Sequence, residues 1–392
     1  MKKIVIFLIV CVVGFFNVDP YIVHAKSENS KLELELNSQI IKDLSNLDFD
    51  SLDDCLNNVL NDFGLSYNSS IKDVVLSITS GKYFDNYDSL FDGVLAFIFK
   101  NIKSVIPLIM MIIAVSILSS ILNSIKSLSN SSISNLIHIV CFIVVVLLLT
   151  SSIANVVNIT KNTLSNLTGQ MQTIFPIMLT LLTASGGLTS VTIYKPIVSI
   201  LCSASSVVFS NYLFPLFVLS FIFLILGNLS KNIKLNKFND LINSIFKWSL
   251  GFVCTFFTIF MSIQGISASK FDSLSIRSTK FAVKSYIPLV GSFISDGFDL
   301  ILFSSILIKN AVGVVGVILI AFTILAPIIQ ILALKFGLQL VSAILQPVGN
   351  SQIGDFCSGC SKVLVYPIVL ILVLSFMFFL SMGLVMVTAN LV

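Results

Sequence analysis

ISNLIHIVCFIVVVLLLTSSIANVVN, residues 133–158, contains no Asp, Glu, Lys or Arg. About 20 predominantly apolar residues carry an α-helix across the ~30 Å hydrocarbon core of a bilayer, so this stretch reads as a membrane span. Working outward from it, residues 104–122, 211–228, 248–265, 311–334 and 363–388 read the same way. In lipid each backbone N–H and C=O must be satisfied within the segment or by a closed sheet, and runs of this length and apolarity satisfy themselves as helices. The chain is therefore predicted to be an all-α polytopic membrane protein, a bundle of six to ten transmembrane or re-entrant helices.

Composition agrees. Of 392 residues 56% are hydrophobic and 11% charged, with a mean hydropathy of +1.01, whereas a soluble domain would carry about a quarter charged residues. The net charge of +4 hides a division. Residues 26–93 hold five lysines against thirteen Asp and Glu, a net −8, and residues 94–392 hold sixteen Lys and Arg against five Asp, a net +11. The basic residues are spread over successive loops without aromatic partners, which argues against nucleic acid and for membrane lipid as the surface they flank.

Three regions follow. Lys2 and Lys3 precede the apolar run Ile4–Phe16, and Val23-His24-Ala25 offers a cleavage site, so 1–25 reads as a signal peptide. Residues 26–93 form an acidic extracytoplasmic segment whose apolar residues recur at three- and four-residue spacing, predicting short amphipathic helices, one of them starting near Ser51. Residues 94–392 form the polytopic membrane domain.

Two apolar stretches are too interrupted for simple spans: 174–210, broken by Gly186-Gly187 and Lys195-Pro196, and 287–309, broken by Gly291, Asp296-Gly297 and Asp299. Irregular backbone at membrane depth is tolerated where protein or a watery cavity satisfies it, so discontinuous or re-entrant helices are expected in both. The two stretches are related by a shift of 112 residues, which separates Pro176 from Pro288 and Pro215 from Pro327. Such internal repeats build many transporters, with the site at corresponding broken helices.

The candidate pore or gating residues come from these stretches. Ser185, Gly186 and Gly187 either form a re-entrant tip whose free N–H groups line a path or a tight turn between two helices. Asp296 and Asp299, three residues apart, share one helical face and are either a gating pair inside the bundle, with Lys309 or Lys280 as partner, or hydrated acids in an interfacial loop. Lys195 reads as a lysine reaching the interface. Asp272, Arg277, Lys280 and Lys284, set among apolar residues, suit an amphipathic helix on the bilayer surface. Cys357-Ser-Gly-Cys360 has the spacing of a redox pair or half a zinc site, but no second ligand pair lies near it, so no metal is expected.

FPIMLTLLTASGG (Phe175–Gly187) followed by Lys195-Pro196, QGISASKFDSLSIRSTKFAVKSYIPLVGSFISDGFD (Gln264–Asp299) running on to LIKNAVGVVG (Leu307–Gly316), and Gln346-Pro347, in that order, resemble the stage III sporulation protein AE family over essentially the whole chain. The resemblance implies a polytopic protein of the mother-cell membrane around the forespore. It also implies partnership with other stage III A proteins, including an ATPase, and with forespore protein Q in a secretion-like channel complex. It supplies no catalytic residue. The chain lacks a GxxxxGK[ST] phosphate loop and an HExxH pair, so neither enzyme activity nor a cofactor is expected. Two other classes of function remain beside a channel component: a self-sufficient secondary transporter and a purely structural membrane scaffold.

Overall fold

The computed structural model describes residues 30–45, 47, 49–63, 70–79, 87–124, 131–229, 236–286, 291–348 and 351–388; over 131–138 and most of 263–298 it describes the backbone alone. The signal segment 1–25 and Pro288 lie outside the described residues. Every regular element among the described residues is helical. Three short helices come first: α1 (Ser30–Ser45), α2 (Asp50–Asp62) and α3 (Ile71–Thr79). The membrane body follows as α4 (Tyr87–Ser124), α5 (Ser131–Ala184), α6 (Leu188–Ser205), a π-helical segment (Ser206–Leu213), α7 (Phe214–Leu229), α8 (Asn236–Tyr286), α9 (Gly291–Val348), α10 (Ser351–Val363) and α11 (Val365–Val387). Six helical runs in it are long and apolar enough to cross a membrane.

The spans are longer than sequence reading suggests. Helices α5, α8 and α9 contain 54, 51 and 58 residues, which at 1.5 Å per residue is roughly 75–90 Å, well over twice the hydrocarbon thickness. The span at 133–158 runs on unbroken through Pro176 to Ala184. The charged stretch 266–286 is the continuation of α8 and not a separate surface helix. The break expected at Asp296-Gly297 does not occur: both residues lie inside α9, which starts at Gly291 and continues through Lys309 and Pro327. A lone glycine in a helix costs about 1 kcal/mol relative to alanine, too little to stop a helix whose following thirty residues are apolar and packed.

The 112-residue shift therefore holds for the order of elements and fails for the break. It carries most of α5 onto α8 and the run Leu188–Leu229 onto α9, but it carries the turn at Ser185–Gly187 onto positions 297–299, within α9.

Helix α9 is the axis of the bundle, packed by α4, α5, α10 and α11 and by all three N-terminal helices. Contacts fix the directions. On α5, Gln170 meets Thr323, and Ile174 and Met178 approach Gly316 and Gly313, so α5 runs antiparallel to α9. Met382 and Met386 of α11 approach the same two glycines, again antiparallel. A Cβ at Gly313 would stand 2.5 Å from Met386, and one at Gly316 would stand 2.7 Å from Met382. Absence of side chains lets three helices close on one another there. Helix α4 runs parallel to α9, with Phe97 clustered with Ala326 and Val105 and Ile109 facing Gly337.

The acidic segment is docked and not free-standing. Asp53 of α2 accepts hydrogen bonds from Ser70 Oγ (2.8 Å) and the Ile71 N–H (2.6 Å), capping α3 at its N-terminus, where negative charge is favoured. Ser304 Oγ of α9 donates to Asp43 of α1 at 2.8 Å. The Phe63 ring packs on Phe97 and, edge-on, on Phe322. Helix α2 starts at Asp50, one residue before the expected Ser51, and α4 runs straight through the boundary at 93.

Candidate functional site

Helix α5 ends in a left-handed glycine. Gly186 has φ = 85°, a conformation that costs a residue with a Cβ about 1–2 kcal/mol. The amides of this turn are spent on carbonyls of α5: Ser185 N–H on Leu181, Gly186 N–H on Thr183, and Gly187 N–H on Leu182, at 2.9–3.0 Å. Ser185 is fully buried, and its hydroxyl also donates to the Leu182 carbonyl. A Cβ at Gly187 would stand 2.7 Å from the Leu182 side chain. These three residues thus form a helix stop of the Schellman kind. Of the two readings, the tight turn has the geometry; the free amides an anion site would need at 185–187 are occupied.

Beyond the turn, α5 and α6 diverge around a cleft of about 450 Å³. Phe175, Leu179 and Cys202 give it an apolar floor, while Gln172, Thr180, Lys195 and Ser199 give it a polar rim. Lys195 is exposed on this rim, with Pro196 carried inside the helix.

Asp296 and Asp299 stand one turn apart on α9, as the spacing predicts; Asp299 is half-buried, and the Asp296 and Lys280 side chains lie outside the described residues. Lys309 does not partner them. Ten residues farther along a continuous helix, it is displaced by ~15 Å from Asp299 along the axis. Its side chain is fully buried, and Nζ donates to the backbone carbonyl of Thr388, the residue that closes α11. The Thr388 hydroxyl in turn lies 3.1 Å from Tyr194 Oη of α6. A cation on the last carbonyl of a helix complements both the unsatisfied C=O and the helix dipole. The junction joins α6, α9 and α11, and sequence reasoning missed it because its members are 79 and 194 residues apart. A lysine within an apolar run was its one legible signal.

Cys357 and Cys360 lie within α10, both free thiols and both fully buried. No group of three His, Cys, Asp or Glu residues able to hold a metal occurs among the described residues.

The candidate residues therefore fall into three separate places: the turn at Ser185–Gly187, the Lys309–Thr388–Tyr194 junction, and the acidic start of α9. Comparison with known proteins gives one consistent result. The family model described as stage III sporulation protein AE matches residues 69–389. Stage III sporulation protein AE of Bacillus subtilis (strain 168) is 32% identical over 228 residues, covering 57% of this chain and 56% of the relative, so the alignment spans little more than half of that protein. No solved structure matches the chain.

Proposed function

The chain belongs to the stage III sporulation protein AE family, and from that premise we propose that it is a membrane component of the stage III A–Q sporulation complex. In this reading it sits in the mother-cell membrane around the forespore, with residues 26–93 on the extracytoplasmic side. It joins other stage III A proteins, including an ATPase, and forespore protein Q in a channel linking the two cells. Its own part is to anchor partner subunits and to provide a membrane path; no catalytic step belongs to the proposal. The observation that carries it is the family match across 69–389, which takes in α3 and the entire membrane body.

The large membrane body and the docked outer helices support an anchoring role. Asp43 on Ser304 and Phe63 on Phe322 tie the acidic segment to the central helix. Deleting the gene in its own cells is expected to stop development after engulfment and abolish heat-resistant spores. A tagged chain is expected to bring down the other stage III A proteins from detergent extract. Normal spore yield in the deletion strain would overturn the reading. Solute uptake by the purified chain alone in liposomes would replace it with the self-sufficient transporter.

A further inference from the structure

The cleft between α5 and α6 has two kinds of wall. Its floor is apolar, with Phe175 and Leu179 of α5 and Cys202 of α6 all buried. Its rim is polar and exposed, with Thr180 and Thr183 on α5 facing Lys195 and Ser199 on α6. Sites for small molecules are built this way, mostly apolar with a few polar groups that fix orientation. The turn at Ser185–Gly187 shuts one end of the cleft, and Met171 and Ser203 stand at the other.

The middle of the rim carries one full charge. Thr180, Thr183 and Ser199 spend their hydroxyl protons on the carbonyls of Pro176, Leu179 and Lys195, at 2.9–3.1 Å, as hydroxyls in helices can. The Lys195 ammonium is therefore the strong donor there. Residues 127–230 contain Lys161 and Lys195 and no Asp or Glu, so no acid of α5 or α6 neutralises it. A cation beside an apolar floor selects a ligand that joins a negative head to an alkyl body.

Size narrows the class. From Met171 to Thr183 the groove is ~18 Å long. At ~30 Å³ for a group the size of a water molecule, its 450 Å³ holds about 15 such groups. That is one chain and a small head, and too little for the two long chains of a phospholipid. We infer that the cleft binds a single-chain amphiphile of the fatty-acid class, its carboxylate on Lys195 and about a dozen carbons lying over Phe175, Leu179 and Cys202 towards Met171 and Ser203. On α6 the exposed Leu188 and Ile200 stand within two turns of Lys195, so an alkyl chain meets apolar surface up to the mouth of the cleft.

The test uses the full chain in phosphatidylcholine nanodiscs and dodecanoate carrying a diazirine at its far end. Photolysis should place the label around Met171 and Ser203, read by mass spectrometry of the digested chain. Lys195→Gln should cut that labelling about two- to fivefold, the worth of one exposed ion pair, and Lys195→Arg should keep it. Dodecanol with the same diazirine should label the cleft less and should not respond to Lys195→Gln. Ser199→Trp, which sets an indole into the groove from an exposed position, should abolish cleft labelling by both probes. Lys161→Gln, on α5 outside the cleft, should change nothing. Label spread as densely over the exposed apolar residues of α4 and α8 as over the cleft would overturn the inference. So would equal labelling by the carboxylate and the alcohol. Loss of the label when phosphatidylglycerol replaces phosphatidylcholine would overturn it as well, because a phospholipid would then be the resident. None of these results bears on the sporulation reading, which stands on the family match.

Discussion

Helices α5 and α8 are nearly equal in length, 54 and 51 residues, yet they present opposite surfaces to the outside. Helix α8 shows Phe238, Trp248, Phe252, Phe256 and Ile259, with Trp248 81% exposed. Phe246 on its inner side packs on Tyr366 with ring centroids 4.5 Å apart. Helix α5 packs Ile153, Val156, Leu164, Leu167 and Met171 inward just as tightly and shows asparagine, serine and lysine outward. The inner faces follow one rule, close packing. The outer faces differ, apolar and aromatic on α8 and polar from Thr150 to Gln172 on α5. In a bilayer it is the outward residues that report what each side of a bundle meets.

Four measurements break or sharpen this contrast, each read as thermal stability in nanodiscs. The inner faces should respond alike: Leu167→Ala should cost about 2–5 kcal/mol and Phe246→Ala about 3–5 kcal/mol, since each leaves a cavity in a closed core. A large asymmetry here would mean that α5 is loosely packed and that its polar face is merely the surface of a mobile helix. Next come the outer faces, where the responses should diverge. Phe252→Asp should cost about 2.5–3.5 kcal/mol, the cost of placing aspartate mid-bilayer, while Asn158→Asp should stay within about 0.5 kcal/mol. Equal costs would erase the distinction. At the end of α5, Gly186→Ala should cost about 1–2 kcal/mol through the positive φ, and a neutral result would show that the turn relaxes freely. A small effect is also expected where α5 meets α9 through a side-chain pair on the inward face. Gln170 donates to Thr323 at 2.8 Å but its carbonyl oxygen has no hydrogen-bond partner. Gln170→Leu should therefore change stability by less than about 1 kcal/mol.

Much of this was legible before any coordinates. Apolar runs of bilayer length fix the helical class, and the Gly186-Gly187 pair marks a true turn, because a second glycine lets the chain take a left-handed residue and then approach Leu182 closely. The same reasoning fails at Asp296-Gly297. There a single glycine sits before a long packed helix, and tertiary contacts outweigh local propensity. The polar strip was readable in TSSIANVVNITKNTLSNLTGQMQ (Thr150–Gln172), where apolar residues recur at helical spacing. Averaging hydropathy along the chain ends the span at Asn158 and hides which side of the helix is polar. The Lys309 junction was not readable, because a backbone carbonyl at Thr388 leaves no trace in the side-chain pattern.

Lys309 also sets a schedule for the newborn protein. The carbonyl that receives its ammonium is made 79 residues later, which at 5–20 residues per second is about 4–16 s of further synthesis. For that interval Lys309 lacks this acceptor, so the junction of α6, α9 and α11 closes only when the end of α11 has been made.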